Sequence, residues 1–183
     1  VFNGLTGDFV DGARVTLINA ATDQPAEVFG IDGISAYPNS VISGQDTTDA
    51  SGLVYDIRPG EFRFPLAALG DYYVRVEPPE GYSFASSLTA SDFANLTNVP
   101  FVIETEASYG RRFTLNGSGP LNFDIPLDAQ TDFVLAKSAG VQSGDVGDFI
   151  PYTITLENRG SAGAPLPFHG AGAWQQQRYP RRF

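Results

Sequence analysis

Aspartates are the residues whose number and spacing in this sequence come closest to those of a metal site. They form three groups along the chain: Asp46, Asp49 and Asp56; Asp145 and Asp148; and Asp8 and Asp11. Calcium takes about six to eight oxygen ligands, and Asp46 and Asp49 are the calcium candidates because they lie in a long, acidic loop. The alternative is that these aspartates accept hydrogen bonds within turns. We favour the turns, because no run matches an EF-hand, and we predict no other cofactor.

Side chains that could catalyse a reaction are few. The chain has no cysteine, one lysine (Lys137) and one histidine (His169), so one chain cannot supply a thiol, a histidine pair or a lysine pair. Glu104 and Glu106 could form a carboxylate pair for glycoside hydrolysis, but alternating charges at a strand end are typical of a solvated face. No glycine-rich phosphate motif precedes a helix. We therefore predict that the protein is not an enzyme.

The charge of the chain is unevenly distributed. Residues 1–160 contain all 21 acidic residues and 8 of the 11 lysines and arginines, a net charge of −13, whereas residues 161–183 carry +3. An acidic body disfavours nucleic acid and anionic membranes as partners. No run approaches about 18 apolar residues, so no transmembrane helix is expected. The chain begins at Val1 inside a predicted strand, and we expect it to be part of a longer protein.

The apolar residues occur in short alternating runs separated by many of the 20 glycines and 13 prolines. This pattern predicts an all-β protein. In the two clearest strands the residues predicted to face inward are Ala13, Val15 and Leu17, and then Tyr72, Val74 and Val76. Further strands are predicted at Glu27–Gly30, Leu53–Tyr55, Glu61–Leu66, Phe101–Ile103, Arg112–Leu115 and Asn122–Pro126. Residues 31–52 are predicted to be a loop with one short strand at Ser40–Ser43, and Ser91–Leu96 a helical turn capped by Thr89 or Ser91.

Three stretches of the first segment carry a family resemblance. They are Val10–Leu17, reading Val-Asp-Gly-Ala-Arg-Val-Thr-Leu; Thr48–Leu53, reading Thr-Asp-Ala-Ser-Gly-Leu; and Gly70–Tyr82, which ends Pro-Glu-Gly-Tyr. They resemble the carboxypeptidase regulatory-like family, a transthyretin-type or prealbumin-like β-sandwich, and are similar also to the B-repeat modules of Gram-positive surface adhesins. We therefore predict an Ig-like or prealbumin-like antiparallel β-sandwich over residues 1–128.

A second resemblance begins near Asp128. Its residues are Lys137-Ser138, Gly147-Asp148, Tyr152-Thr-Ile-Thr155 and Asn158-Arg-Gly160. They resemble the opening strands of a DUF11-type repeat, so residues 129–167 are predicted to be a partial second β-sandwich. After Pro167 the alternation stops and the charge reverses. Residues 168–183 are predicted to be a disordered basic tail, and a shifted reading frame would also produce so abrupt a change.

Both resemblances imply large exported surface proteins of bacteria built as strings of Ig-like domains. The predicted function is a non-catalytic spacer at the cell surface or outside the cell, whose partners are neighbouring Ig-like repeats of the same chain. The alternative is an adhesion module that binds surface glycans or proteins through residues 31–47 and exposed tyrosines. The tyrosines concerned, which could instead pack in the core, are Tyr37, Tyr55, Tyr72, Tyr73, Tyr82 and Tyr109, of which Tyr109 is best placed for contact.

The adhesin resemblance also implies one covalent reaction. Related modules form an intramolecular isopeptide bond between a lysine and an Asn or Asp, assisted by a buried acid. Here Lys137, Asn158 and Glu157 are the residues that could fill these roles. The alternative, which we favour, is that Lys137 is a solvated strand residue and Asn158 ends its strand.

Overall fold

The computed structural model describes residues 1–96, 101–117, 119–130, 133–140, 151–158 and 160. These residues form fifteen strands, two short 3-10 helices (Asp92–Asn95 and Ala107–Tyr109) and no α-helix, which confirms the all-β class. The strands are β1 (Phe2–Asn3), β2 (Arg14–Asn19), β3 (Gln24–Pro25), β4 (Val28–Phe29), β5 (Ala36–Tyr37), β6 (Ser40–Ile42), β7 (Thr47–Thr48), β8 (Val54–Tyr55), β9 (Leu66–Ala67), β10 (Gly70–Glu77), β11 (Tyr82–Ser83), β12 (Phe113–Leu115), β13 (Pro126–Ala129), β14 (Phe133–Ala139) and β15 (Tyr152–Asn158).

The central sheet is built on the two strands with the clearest alternation, β2 and β10. They pair antiparallel over six residues, from Tyr72 opposite Asn19 to Glu77 opposite Arg14. The other edge of β10 pairs with β12. The other edge of β2 is shared, since its first half pairs with β6 and its second half with β3. The sheet therefore has β12 at one edge and two short strands at the other.

Alternation along β2 and β10 decides which side chains enter the core, as predicted. In β10, Tyr72, Val74 and Val76 are buried, whereas Arg75 and Glu77 are exposed. In β2 the inward residues and also Ile18 are buried. Because successive side chains of a strand point to opposite faces, one face of these two strands is apolar, and Ile18 is buried on the other face. The fully or nearly fully buried residues of β2 and β10, with Ala13 directly before β2, are Ala13, Val15, Leu17, Ile18, Tyr72, Val74 and Val76.

A second, smaller sheet has the order β1-β13-β11, and it departs from the predicted antiparallel arrangement. β1 and β13 are parallel, with Phe2 opposite Pro126 and Asn3 opposite Leu127. The Phe2 amide donates to the Ile125 carbonyl (3.0 Å) and the Gly4 amide to the Leu127 carbonyl (2.9 Å). A parallel pair needs a long connection, and most of the first segment lies between these strands. Ile125 and Leu127 are completely buried. An Ig-like topology is not established by these pairings.

Several predicted strands form no ladder. Residues 61–65 and 101–103 have no strand assignment, and the last predicted strand begins only at Pro126. Pro65 cannot donate a ladder hydrogen bond, and the segment before it is extended with Phe62 and Phe64 packed on the core. Residues 31–52 contain three short strands, β5, β6 and β7, where one was predicted. β5 pairs with β4, which also pairs with β9, and β7 pairs with β8.

The predicted helical turn is present as the 3-10 helix Asp92–Asn95, with Ser91 at its N-cap position. The Ser91 side chain makes no cap hydrogen bond. Instead the carboxylate of Asp92 accepts from the backbone amide (2.7 Å) and the hydroxyl (2.8 Å) of Thr89. The cap of this turn is therefore a reciprocal Thr89–Asp92 contact.

The second predicted module is described only as the antiparallel hairpin β14–β15. Its register places Leu135 opposite Leu156 and Lys137 opposite Ile154. The side chains of Leu135, Tyr152 and Ile154 are exposed, at 69%, 55% and 64%. The predicted partial sandwich and the boundary at about residue 128 stay predictions. Residues 141–150 and 161–183, which include Asp145, Asp148, His169 and the predicted tail, lie outside the described residues.

Candidate functional site

Asp49, one of the two calcium candidates, is the centre of a hydrogen-bonded loop. Its Oδ1 accepts from the Ser51 amide (2.9 Å), the Ser51 hydroxyl (2.5 Å) and the Leu53 amide (3.1 Å). Its Oδ2 accepts from the Tyr55 hydroxyl (2.9 Å), which in turn accepts from the Ile31 amide (2.9 Å). The side chain is only 6% exposed. Asp49 therefore joins the β7–β8 hairpin to the start of the loop at residue 31.

The pKa of Asp49 is lowered, mainly by the hydrogen bonds from Ser51. Desolvation would raise this pKa, whereas the hydrogen bonds from the Tyr55 hydroxyl and the Leu53 amide lower it further. A carboxylate that already accepts four hydrogen bonds is satisfied as a turn residue. This is the role that the turn interpretation gave it.

Asp46, the other calcium candidate, accepts a hydrogen bond from the Ile57 amide (2.9 Å). Among the residues that the structure describes, no group of three or more His, Cys, Asp or Glu side chains is placed to hold a metal ion. Calcium binding by Asp46 and Asp49 stays a prediction that a titration can decide.

We expect calcium to leave the melting temperature of the chain unchanged, because both carboxylates already serve backbone donors. The measurement is thermal unfolding in calcium and in EGTA. A melting temperature that rises with calcium in the wild type, and not in an Asp46→Asn variant, would instead establish the site.

Tyr37 and Tyr55 are buried side by side, and their hydroxyl groups differ in hydrogen bonding. Each is 5% exposed, and their rings meet edge to face at 4.9 Å. The Tyr55 hydroxyl has two partners, whereas the buried Tyr37 hydroxyl has no hydrogen-bond partner within the described part of the chain. Desolvation raises the pKa of Tyr37, and the Thr47 side chain partly offsets this effect.

We expect the two tyrosine-to-phenylalanine changes to have different effects on stability. Tyr37→Phe removes an unsatisfied hydroxyl and should leave stability unchanged or raise it by up to about 1 kcal/mol. Tyr55→Phe leaves Asp49 and the Ile31 amide without their shared partner and should clearly lower stability. Urea denaturation of both variants measures this, and each serves as the packing control for the other. Equal destabilisation of the two would refute the hydrogen-bond assignment.

Asp128 of β13, which the sequence did not single out, is the centre of a second hydrogen-bonded cluster. Its Oδ1 accepts from the Ser86 hydroxyl, and its Oδ2 accepts from the amide and the hydroxyl of Ser87, both at 2.8 Å. Burial by itself would raise the pKa of Asp128, but the bonds from Ser86 and Ser87 outweigh it and the pKa is lowered. No local signal could have indicated the cluster, since the partners are separated by more than 40 residues.

The lowered pKa values of Asp49 and Asp128 predict loss of stability in acid. A carboxylate whose pKa is lower in the folded than in the unfolded state stabilises the fold above its ordinary pKa. That contribution is lost as the pH falls from the ordinary value of about 4 through the folded-state value. We expect the urea midpoint to fall as the pH drops below about 4, and to fall less in Asp128→Asn. A midpoint that stays constant over this range would contradict the prediction.

The third aspartate group also lies in turns. Asp8 accepts from the Thr6 hydroxyl (2.7 Å). Asp11 accepts from the Gly60 amide (2.7 Å), 49 residues away in the sequence. Asp11 therefore connects the turn before β2 to the segment that follows β8.

The tyrosines proposed as an exposed contact surface do not form one. Tyr37, Tyr55 and Tyr72 are buried, and Tyr73, Tyr82 and Tyr109 are half-buried. Tyr72 and Tyr109 donate to the carbonyls of Ala68 and Leu88, both at 2.9 Å. A large ring that is driven inward needs a partner for its hydroxyl, and backbone carbonyls supply it. Tyr109, expected to be the most accessible, belongs to the second 3-10 helix.

The proposed isopeptide residues are not adjacent. Lys137 lies opposite Ile154, and its Nζ is 4.1 Å from the centre of the Tyr152 ring. Asn158 lies four residues further along β15, opposite Phe133. Four residues of strand span roughly 13 Å, which is beyond the reach of a lysine side chain. The register therefore excludes the bond in this hairpin and supports the interpretation of Lys137 as an exposed strand residue.

Glu104 and Glu106 are exposed residues of the turn that leads into the second 3-10 helix. The Glu104 carbonyl accepts from the Ser108 amide (3.1 Å), and the Glu106 carbonyl from the Arg111 amide (2.9 Å). Their backbones thus shape the turn, and their carboxylates face solvent, as the interpretation of a solvated face predicts.

A large apolar cleft, which the sequence did not indicate, opens beside the inner face of the central sheet. We call it the aromatic cleft. It encloses about 1140 Å³. Leu17 and Val74 of the central sheet and the rings of Phe62, Phe64, Phe113 and Phe123 are among the residues that line it. Residues 58–65 and 119–124, which supply many of its lining residues, form no ladder.

No helix of the described residues is long and apolar enough to cross a membrane. Comparison of the chain with protein-family models, with curated proteins and with solved structures found no match.

Proposed function

We propose that this chain is a non-catalytic structural module of an exported, multidomain surface protein of a bacterium. The observation that carries the proposal is that aspartates suited to catalysis or metal binding are hydrogen-bonded within the fold. Asp11 and Asp46 accept hydrogen bonds from backbone amides of other segments, and Asp49 accepts from the Leu53 amide of its own turn and from the Tyr55 hydroxyl. Carboxylates held in this way stabilise the connections of the fold, which supports a structural role for them.

The fold class supports the same proposal. A small all-β unit whose loops are joined by internal hydrogen bonds can transmit position and force along a string of domains. The resemblance of residues 1–128 to carboxypeptidase regulatory-like modules, and of residues 129–167 to DUF11-type repeats, supports neighbouring Ig-like repeats of the same chain as the partners. It also supports a location outside the cell.

Two measurements test the proposal. Purified protein should show no turnover of glycosidase, esterase or peptidase substrates. Turnover that disappears in a Glu104→Gln variant would overturn the non-catalytic assignment. Intact cells that produce the full-length parent protein should bind an antibody raised against residues 1–128, and binding only after permeabilisation would overturn the surface assignment.

The second candidate is an adhesion module that binds glycans or proteins through residues 31–47. The observation in its favour is the exposure of Ile31 (68%) and Ile34 (81%) at the start of this segment. Deleting the segment would remove β6 and Ser43, whose hydroxyl accepts from the Ala13 amide and donates to the Val10 carbonyl. The test is therefore an Ile34→Asp variant on a glycan array. Unchanged glycan binding by that variant would count against this candidate.

A further inference from the structure

The floor and walls of the aromatic cleft are apolar and preformed. Leu17 and Val74 at its base are already buried by the chain, and its accessible part is lined by aromatic rings, among which the Phe123 ring lies 5.7 Å from the rings of both Phe62 and Phe113. Ligand pockets typically enclose about 300–1000 Å³ and are lined by apolar and aromatic side chains with few polar groups. The cleft is as large as the largest of these, with about 1140 Å³.

The mouth of the cleft exposes large apolar side chains to solvent. Leu69 and Leu66 are 70% and 45% exposed, Val102 is 46% exposed and Leu121 is 38% exposed, and all four line the cleft. Apolar surface gathered around a concave site marks a site of binding. A ligand that covered these residues would remove from water the apolar surface that the folded chain leaves exposed.

The acidic and the basic side chains of the cleft differ in their hydrogen bonding within the protein. Its two acids each accept a backbone hydrogen bond: Glu61 from the Arg58 amide (3.3 Å) and Asp124 from the Val102 amide (2.8 Å). Its two cations, Arg58 and Arg63, have neither a side-chain hydrogen bond nor an ion pair within the described residues, where the salt bridge found is Arg14–Glu77. A guanidinium is a strong donor to a carboxylate, sulfate or phosphate.

We propose that the aromatic cleft binds an anionic amphiphile, a molecule with an apolar chain and an acidic head group. The apolar body lies against Phe62, Phe113 and Phe123, and the head group lies at Arg58 and Arg63. This binding function goes beyond the structural role proposed above, which requires no ligand.

Calorimetric titration with decanoate below its micelle-forming concentration tests the proposal, with decanol and decyltrimethylammonium as neutral and cationic probes of the same chain length. We expect saturable binding of decanoate, weaker binding of decanol and the weakest binding of the cation. Octanoate should bind about fifteenfold more weakly than decanoate, because it has two fewer methylenes and each buried methylene strengthens binding about fourfold. Absence of saturable decanoate binding, or equal affinities for the three head groups, overturns the proposal.

Matched variants locate the site. The double variant Arg58→Gln/Arg63→Gln should weaken decanoate binding about tenfold and leave decanol binding unchanged. The control is Arg14→Gln/Arg75→Gln, which removes two cations from the opposite face of the central sheet. Leu121→Asp should weaken both probes, whereas Leu5→Asp, an exposed position outside the cleft, should weaken neither. Equal effects of cleft and control variants, in proteins with wild-type melting temperatures, would show that the binding lies elsewhere.

Discussion

Val74→Asp is expected to prevent the chain from folding. Val74 is 2% exposed, lies in the centre of β10 opposite Leu17, and belongs to the main apolar core. A carboxylate there would have no cation among the core side chains, and a buried unpaired charge is severely destabilising. We expect a loss of about 5 kcal/mol or more, against a total stability of about 5–15 kcal/mol for a typical domain. Circular dichroism and urea denaturation measure the result.

The control for this change is Arg75→Asp, one residue further along the same strand. Arg75 is exposed on the opposite face of the sheet, so the same carboxylate remains in water. The two variants therefore differ mainly in burial of the new charge. A cooperative urea transition of Val74→Asp near that of the wild type would show that the assigned inward face of β10 is wrong.

Gly44→Ala is expected to lower stability more than an alanine at a left-handed glycine that has open space around it. Gly44 has φ of +71°, and a Cβ there would lie 2.0 Å from Oδ1 of Asp11. That oxygen accepts from the Gly60 amide (2.7 Å), so relief of the clash would break the bond that connects two loops. A left-handed backbone costs about 1 kcal/mol for a residue with a Cβ, and loss of the bond brings the expected total to about 2–3 kcal/mol.

The matched control is Gly52→Ala. Gly52 has φ of +88°, and its added Cβ would meet nothing within 4 Å. It should therefore lose only the conformational part, about 1 kcal/mol. Equal losses in the two variants, measured by urea denaturation, would show that Asp11 is not fixed by its bond to Gly60.

These expectations place the stability of the protein in two different features. The β2–β10 pair supplies the apolar core, and the aspartate contacts connect loops that have little regular pairing of their own. The aromatic cleft lies beside the β2–β10 pair, among rings that are only partly buried. A module of this kind can combine a rigid sheet with an accessible apolar site, which is why the structural role and the proposed amphiphile site are compatible.

The alternation of residues along β2 and β10 determined the all-β class and the inward faces of the central sheet. It could do so because a strand has a period of two, which is a local property of the sequence. The same locality explains the failures at residues 61–65 and 101–103. Their alternation describes which side chains face the core, but a ladder also requires a neighbouring strand with free backbone groups.

Only the tertiary structure decided which residues meet across long separations. The parallel pairing of β1 with β13, the contact of Asp11 with Gly60 and the contact of Asp128 with Ser86 each join segments more than 40 residues apart. The sequence around an aspartate in a glycine-rich loop does not distinguish calcium binding from a hydrogen bond to a distant amide, because the same carboxylate oxygens serve both. The fold decides between these uses by bringing a backbone donor to the carboxylate, and the aromatic cleft arises from the path of the chain in the same way.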